Sequence, residues 1–209
     1  MREQKQAAWP FPSKRKHVER AQLKTVIDLL GGTEKPEVAP AELGTQRAMP
    51  AANCNVMALD LGTQCGWAVA TREGKFVSGS DRFDPARCGA PGKRWLSFRE
   101  FLTARAREAG GIQAVYYEEV MAHGTKDRPN TIAAHVYGGF LAILESWAAA
   151  NNIPLYGVGV GTIKKHATAN GRATKEDMVA AAQALGVHVI DDNHADAIAL
   201  LAYALEQEA

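Results

Sequence analysis

The sequence predicts an α/β fold with a mixed five-stranded sheet, in which three antiparallel strands are followed by parallel ones, flanked by helices. Between residues 56 and 80, three short apolar runs follow one another with tight turns between them, and strands joined in this way pair antiparallel. Two later apolar runs each follow a segment of helical length, and strands joined by helical crossovers run parallel.

Each element has a local reason. The predicted strands cover residues 56–60, 66–71, 75–80, 112–118, 153–158 and, as a short extra strand, 187–190. The predicted helices cover residues 93–109, 131–150, 174–185 and 193–206. Gly74 supplies the first hairpin turn, and Gly110 ends the first helix. Asn130 is a plausible N-cap, and Thr174 opens a segment that resembles a capping box.

The first quarter of the chain differs in composition from the rest. Residues 1–52 carry several prolines and the basic run Lys14-Arg15-Lys16, which predicts a basic, partly disordered N-terminal extension. A solvated arm is the favoured interpretation, and a DNA- or partner-binding arm is the alternative. The domain itself is predicted over residues 53–209.

Composition narrows the class of protein. An apolar content of 46% and a charged content of 22% are ordinary for a globular chain of 209 residues. No apolar run reaches the ~20 residues that span a bilayer, and the N-terminus does not read as a secretory signal. The three cysteines lack metal-site spacing, which predicts free thiols in a reducing cytoplasm. With a net charge of +1, nucleic-acid binding would require local basic patches.

Three acidic residues stand where apolar elements end or begin. Asp60 ends the first strand, Glu118 ends the fourth, and Asp196 lies at the start of the last helix. Buried carboxylates are costly unless they are paired or bind a metal, and oxygen ligands suit Mg²⁺. If the first and fourth strands are neighbours, Asp60 and Glu118 come together. Glu119 is the alternative to Glu118, because successive strand residues face opposite ways.

Four segments in order resemble the motifs of RuvC-type Holliday junction resolvases, nucleases of the RNase H-like superfamily, and most closely the members encoded by phages and prophages. The four segments are Met57-Ala58-Leu59-Asp60-Leu61-Gly62-Thr63 with Gly66-Trp67-Ala68-Val69, then Tyr117-Glu118-Glu119-Val120, then Ile163-Lys164-Lys165 with Gly171-Arg172-Ala173-Thr174-Lys175, and finally Asn193-His194-Ala195-Asp196-Ala197. The resemblance spans about residues 55–206 and implies an RNase H-like fold.

The resemblance implies an Mg²⁺-dependent crossover junction endodeoxyribonuclease with two metal ions per active site, for which Mn²⁺ can substitute. Asp60 would bridge the metals, with Glu118 and Asp196 on either side. The family often has Asp or His three residues before the final Asp, where this chain has Asn193. Helical spacing favours Asp192 as the fourth catalytic and metal-binding carboxylate, with Asn193 and His194 as alternatives.

A basic segment precedes the helix over residues 174–185. Lys164, Lys165, Arg172 and Lys175 are predicted to bind DNA phosphates from a flexible loop that ends at a helix N-terminus. The resemblance matches Lys164 and Lys175 to the DNA-contacting lysines of the family. An ordinary solvated loop is the alternative. A second basic run, within residues 93–107, is interpreted as a solvated helix face.

The helix over residues 131–150 is apolar on most sides, which predicts a second partner besides the sheet. The matching helix forms a two-fold dimer in the resolvase family, so a homodimer on branched DNA is expected. Phe140, Tyr137 and Leu144 are predicted to form the outward stripe. The family's base-stacking aromatic is replaced by Met121. The aromatic residues nearby that could substitute for it are Tyr116, Tyr117 and His123.

Other functions remain open at this stage. The segment Asp60-Leu61-Gly62-Thr63 also resembles the first phosphate motif of sugar kinases and actin-like ATPases, but those folds need two such domains and this chain has room for one. Another RNase H-like nuclease, acting on RNA–DNA hybrids or flaps, is a further candidate. A non-catalytic junction-binding protein is the third, because Asn193 departs from the family pattern.

Overall fold

The computed structural model describes residues 52–121, 123–125 and 127–209. Apart from Ala52, the predicted N-terminal extension lies outside these residues, so its character and its boundary with the domain at residue 53 stay predictions.

The described chain is built on one five-stranded sheet. Its strands are β1 (Val56–Asp60), β2 (Gln64–Ala70), β3 (Phe76–Arg82), β4 (Ala114–Glu119) and β7 (Leu155–Gly159). They lie in the order β3-β2-β1-β4-β7. The three strands β1, β2 and β3 pair antiparallel, whereas β4 runs parallel to both β1 and β7. The predicted mixed sheet is therefore confirmed, with β1 and β4 adjacent at its centre.

Helices cover both faces of this sheet. They are α1 (Pro85–Cys88), α2 (Lys93–Glu108), α3 (Thr131–Ala150), α4 (Val160–Thr168), α5 (Lys175–Ala184) and α6 (Asp192–Gln207). A small ribbon of β5 (Gly124–Thr125) and β6 (Arg128–Pro129), which the sequence did not indicate, precedes α3. Asn130 caps α3 by accepting from the Ala133 N–H, and Thr174 and Asp177 complete the capping box of α5.

The side chains of β1 point alternately to the two faces of the sheet, and both faces are covered, which explains why the strand is an unbroken apolar run. Val56 and Ala58 point into a core shared with α4, α5 and α6, whereas Met57 and Leu59 point into a second core shared with α2 and α3. All four side chains are fully buried. A central strand that is covered on both faces has no polar positions until it ends, and β1 ends at Asp60.

Helix α6 lies very close to β2. A Cβ added at Gly66 would lie 1.8 Å from the carbonyl oxygen of Asn193, so a glycine is required where the helix backbone approaches the strand. His194, which is only 2% exposed, fixes the start of the helix through two contacts. Its Nε2 lies 2.8 Å from Ser78 Oγ, and its Nδ1 accepts from the Ile190 N–H at 3.1 Å.

Two sequence-based element predictions are wrong. Residues 187–190 form no strand: Val187 is buried, but Ile190 is 62% exposed and its N–H binds the His194 ring instead of a neighbouring strand. Lys164 and Lys165 lie on helix α4 and not in a flexible loop. The burial of Ile163 against the α6 side of the sheet outweighs the low helix propensity of Gly161.

The orientation predicted for α3 is also wrong. Phe140 and Leu144 are fully buried and Tyr137 is 8% exposed, and all three belong to the core beneath the helix. Within the described chain, α3 has the length and hydropathy of a membrane span. Its large side chains instead pack on the sheet and on α2, where Trp95 and Phe140 meet edge to face with ring centroids 5.0 Å apart.

We predict that Gly66→Ala destabilises the domain, because the new methyl group collides with backbone that no side-chain rotation can move. Overpacking of this kind typically costs about 1–3 kcal/mol or more. Gly161→Ala is the matched control, since its Cβ would meet nothing closer than 3.9 Å. Urea unfolding of both variants measures the difference, and equal midpoints would refute the close approach of α6 to β2.

Candidate active site

Three carboxylates converge at the carboxyl ends of the two central strands. The parallel register pairs Leu59 with Tyr117, so that Asp60 and Glu118 follow next to each other on adjacent strands. Asp196 lies one turn into α6, the helix that packs on β1 and β2. All three side chains are half-buried. The sequence-predicted residues Asp60, Glu118 and Asp196 are therefore brought together by elements from three distant parts of the chain.

The ionisation of these carboxyls reflects their confinement. Burial, and then the charges of Glu118, Asp196, Asp192 and Asp191, raise the pKa of Asp60 well above its ordinary value. Burial and the neighbouring Asp196 raise the pKa of Glu118 to about 7, although Lys164 acts in the opposite direction. Burial raises the pKa of Asp196 to about 6. Three carboxyls with raised pKa values therefore share this edge of the domain, and Lys164 offsets part of the effect.

Of the two adjacent glutamates, Glu118 faces the acid cluster and Glu119 is exposed. Tyr137 of α3 fixes the strand end that presents Glu118. Its hydroxyl donates to the Glu118 carbonyl at 3.0 Å and accepts from the Val120 N–H at 3.2 Å. Nothing in the sequence pointed to this tyrosine, because the two segments are 17 residues apart and belong to different elements.

The three candidates for the fourth ligand lie in different surroundings. The Asp192 carboxylate is half-buried and forms an ion pair with the Lys175 ammonium. The backbone carbonyl of Asn193 lies against Gly66. Both nitrogens of the His194 ring are engaged, Nε2 with Ser78 Oγ and Nδ1 as the acceptor from the Ile190 N–H, and burial lowers the pKa of the ring. Asp192 thus remains the predicted ligand of the three.

Asp191 and Gln64 are two further residues of the site that the sequence reasoning missed. Asp191 is the N-cap of α6 and accepts from the His194 N–H at 2.8 Å. Gln64, at the start of β2, donates from Nε2 to Asp191 Oδ2 at 3.1 Å and to Ser80 Oγ at 2.7 Å. An Asp before an apolar helix is a recognisable cap signal, whereas the partnership with Gln64 carries no local signal.

The predicted DNA-binding residues divide into two pairs. Lys164 is half-buried beside the acid cluster, where its Nζ donates to the Ala173 carbonyl at 2.7 Å and its charge lowers the pKa values of Glu118 and Asp196. Lys175 reaches the same cluster through Asp192. Lys165 and Arg172 are exposed on α4 and on the turn that follows it. Two lysines therefore face the carboxylates, and the other two basic residues face outward.

The segment after Glu118 contains no exposed aromatic side chain among its described residues. Met121 is 86% exposed, whereas Tyr116 is buried and donates its hydroxyl to Glu208 at 2.8 Å. Tyr117 is half-buried, and the His123 ring packs on Tyr137 with ring centroids 5.1 Å apart. None of the three candidate aromatic residues, Tyr116, Tyr117 and His123, is therefore exposed, and the side chain that projects freely here is Met121.

The donor set of the cluster suits a hard divalent cation. Its members are carboxylates that raise one another's pKa, and a cation of charge two would relieve their repulsion. In the part of the chain that the structure describes, no three His, Cys, Asp or Glu side chains are drawn into ligand geometry. The residues therefore fit such an ion by chemistry, and their side chains must close in to hold it.

Comparison with known proteins identifies the fold. No family model matches the chain, and no curated protein sequence does. A structure of T. thermophilus RuvC in complex with a Holliday junction substrate matches with a TM-score of 0.61 and 21% identity, over 74% of this chain and 95% of that one. A second T. thermophilus RuvC structure matches with a TM-score of 0.57 and 23% identity, over 74% and 98% of the respective chains. The resemblance to RuvC-type resolvases is therefore confirmed at the level of the fold.

We predict that Glu118→Gln stabilises the metal-free domain at alkaline pH. The native pKa of about 7 exceeds the ordinary 4.5, so the native state binds more protons and stability falls as pH rises from about 4.5 to 7. Glutamine removes this cost, which is on the order of 1–3 kcal/mol at pH 8 and vanishes near pH 4.

Unfolding free energies in EDTA at pH 4 and pH 8 measure this effect. The exposed neighbour supplies the control, because Glu119→Gln should change stability by less than about 0.5 kcal/mol at either pH. A glutamine variant at position 118 that is no more stable than wild type at pH 8 would show that Glu118 lies outside the acid cluster.

Proposed function

We propose that this protein is a structure-selective endodeoxyribonuclease that resolves Holliday junctions or other branched DNA by metal-dependent phosphodiester hydrolysis. The observation that carries the proposal is the convergence of Asp60, Glu118 and Asp196 at the ends of β1, β4 and the first turns of α6. The RuvC fold supports it, since one of the similar structures is bound to a Holliday junction substrate.

The chain's own groups divide the work of hydrolysis. Two Mg²⁺ ions, or Mn²⁺ in their place, would activate the attacking water and stabilise the leaving oxygen. Asp60 on the central strand would hold the ions together with Glu118, Asp192 and Asp196. Because Lys164 lies beside Glu118 and Asp196, it is positioned to contact the scissile phosphate where that phosphate meets the carboxylates.

The outer basic residues would bind the flanking DNA. Lys165 is exposed on α4 and Arg172 on the turn that follows it, and Lys165 lines an open cleft with Gly159, Gly161, Thr162 and His166. Such contacts position the backbone without reading the bases. The three described cysteines are unpaired, in keeping with the proposed cytoplasmic location.

We propose that the active unit is a homodimer formed through the outward face of α3. Most of its large residues face the core. The exposed face carries a small-residue stripe at a spacing of four, Ala134, Gly138, Ala142 and Ser146, with His135 and Glu145 beside it. Ile132, at the start of this face, is 77% exposed. Small side chains allow two helices to approach closely, and a two-fold axis presents two active sites to opposite strands of a junction.

We predict that Asp60→Asn removes nearly all junction cleavage while leaving the fold and junction binding intact. The amide keeps the shape of the side chain but loses the charge that a shared metal ligand needs. Cleavage of a labelled four-way junction in Mg²⁺ and a gel-shift titration in EDTA measure the two properties. Cleavage at the wild-type rate by this variant, or by wild type in excess EDTA, would contradict the proposal.

The choice of substrate separates the alternative nucleases. A four-way junction, a flap, an RNA–DNA hybrid and a linear duplex of matched sequence are compared under single-turnover conditions. Fastest cleavage of the junction supports the proposal, whereas fastest cleavage of the hybrid or flap assigns another RNase H-like activity. Tight junction binding without cleavage in Mg²⁺ or Mn²⁺ would identify a non-catalytic junction-binding protein.

We predict that Ala142→Glu yields a folded monomer that has lost paired nicking. The side chain is exposed on the small-residue stripe, so a charge there opposes association without entering the core. The matched variant Phe140→Glu buries its charge and should fail to fold. Sedimentation at micromolar concentration measures the state; a wild-type monomer that cuts both strands together would overturn the proposed dimer.

A further inference from the structure

Lys175 binds a carboxylate that the proposed function needs for another purpose. Its ammonium forms an ion pair with Asp192, and the two residues open helices α5 and α6. The lysine side chain is 73% exposed, whereas that of Asp192 is 34% exposed. The long, solvated Lys175 side chain can therefore move away from Asp192, whereas the shorter Asp192 side chain stays at the edge of the acid cluster.

The position of Lys175 relative to the other carboxylates explains why the pair matters. Besides Asp192, both Asp196 and Asp60 raise the pKa of Lys175, so the ammonium lies within electrostatic reach of all three carboxylates. Asp192 in turn acts on Asp60 and Asp196. The ammonium thus contributes positive charge close to where a divalent cation would be held.

We propose that Lys175 is an internal competitor for Asp192: in the metal-free protein it holds this carboxylate, and a divalent cation that takes Asp192 releases the ammonium to bind a DNA phosphate. The proposal rests on the ligand role assigned to Asp192 under the proposed function. It deepens that function by making Lys175 a positioning residue that couples metal binding to DNA binding.

The exchange has a definite thermodynamic consequence. A carboxylate that an ammonium already occupies binds a cation more weakly, because the ion pair must first be broken. Since coupling between two sites is reciprocal, a metal that frees Lys175 strengthens phosphate binding, and bound phosphate strengthens metal binding. The site would therefore load its metal more readily on DNA than in free solution.

The test measures metal affinity without DNA. Calorimetry and the electron paramagnetic resonance signal of free Mn²⁺ are used to measure Mn²⁺ binding. The proteins compared are wild type, Lys175→Met, Asp192→Asn and the double variant. Lys175→Met should bind Mn²⁺ more tightly, on the order of tenfold. In the Asp192→Asn background the same change should alter affinity less than about twofold, because no ion pair is left to break.

Lys75→Met controls for the loss of one positive charge, since Lys75 is exposed just before β3 and its loss should leave Mn²⁺ affinity unchanged. An equal effect of Lys175→Met with and without Asp192 would reduce Lys175 to a background charge and overturn the exchange. Unchanged or weaker Mn²⁺ binding by Lys175→Met would overturn it as well.

The release of Lys175 has its own readout. Addition of Mg²⁺ to the DNA-free protein should move the Lys175 side-chain NMR resonances towards those of a free lysine, and those of Lys75 should stay in place. Resonances of Lys175 that do not move at saturating Mg²⁺ would refute the exchange. Neither measurement uses cleavage, so a protein that cuts no junction would refute the proposed function without deciding this result.

Discussion

The close packing of α6 on the sheet is the constraint on which the rest of the structure depends. Gly66 lets the helix backbone at Asn193 come closer to β2 than any side chain would allow. The buried ring of His194 then ties the helix start to Ser78 on β3. Asp196 follows two residues later, so its distance from Asp60 and Glu118 is decided by this contact. The glycine and the histidine belong to the packing of α6, and they set where Asp196 lies.

Concentrating carboxylates at one edge works against folding. Burial and mutual repulsion raise the pKa values of Asp60, Glu118 and Asp196, and each raised pKa is a free energy lost from the metal-free native state at neutral pH. Lys164 and Lys175 offset part of this loss. The apolar packing of α6, whose Ile198, Leu200 and Leu201 are fully buried, supplies the rest of the stability. A bound cation would relieve the repulsion among these carboxylates and so stabilise the native state.

How far the sequence could predict the structure depended on whether the signal was local. The caps at Asn130 and Thr174, the hairpin turn and the acidic strand ends are local, and the elements they imply are present. Helix α4 was not predicted, because it is stabilised by the burial of Ile163, and the neighbouring sequence gives no sign of that burial. The pairing of Lys175 with Asp192 spans 17 residues and two helices, so no spacing rule could have indicated it.

The orientation of α3 could have been derived from spacing, and the error is instructive. Tyr137, Phe140, Leu144 and Trp147 follow one another at intervals of three or four, which marks a single face. The opposite face carries small residues, with the polar His135 and Glu145 among them, and small residues are easily overlooked as candidates for an interface. On a helix that covers a sheet, the large side chains pack in the core. The residues available to contact a partner are those on the opposite face.

The same helix connects the proposed dimer face to the active site. Tyr137 lies on its inward side and holds the end of β4 through the Glu118 carbonyl and the Val120 N–H. Ala134 and Gly138, one residue or one turn away, lie on its outward side. The helix of the proposed dimer is therefore also the helix that holds the strand end carrying Glu118, because one tyrosine joins the core of α3 to the backbone of β4.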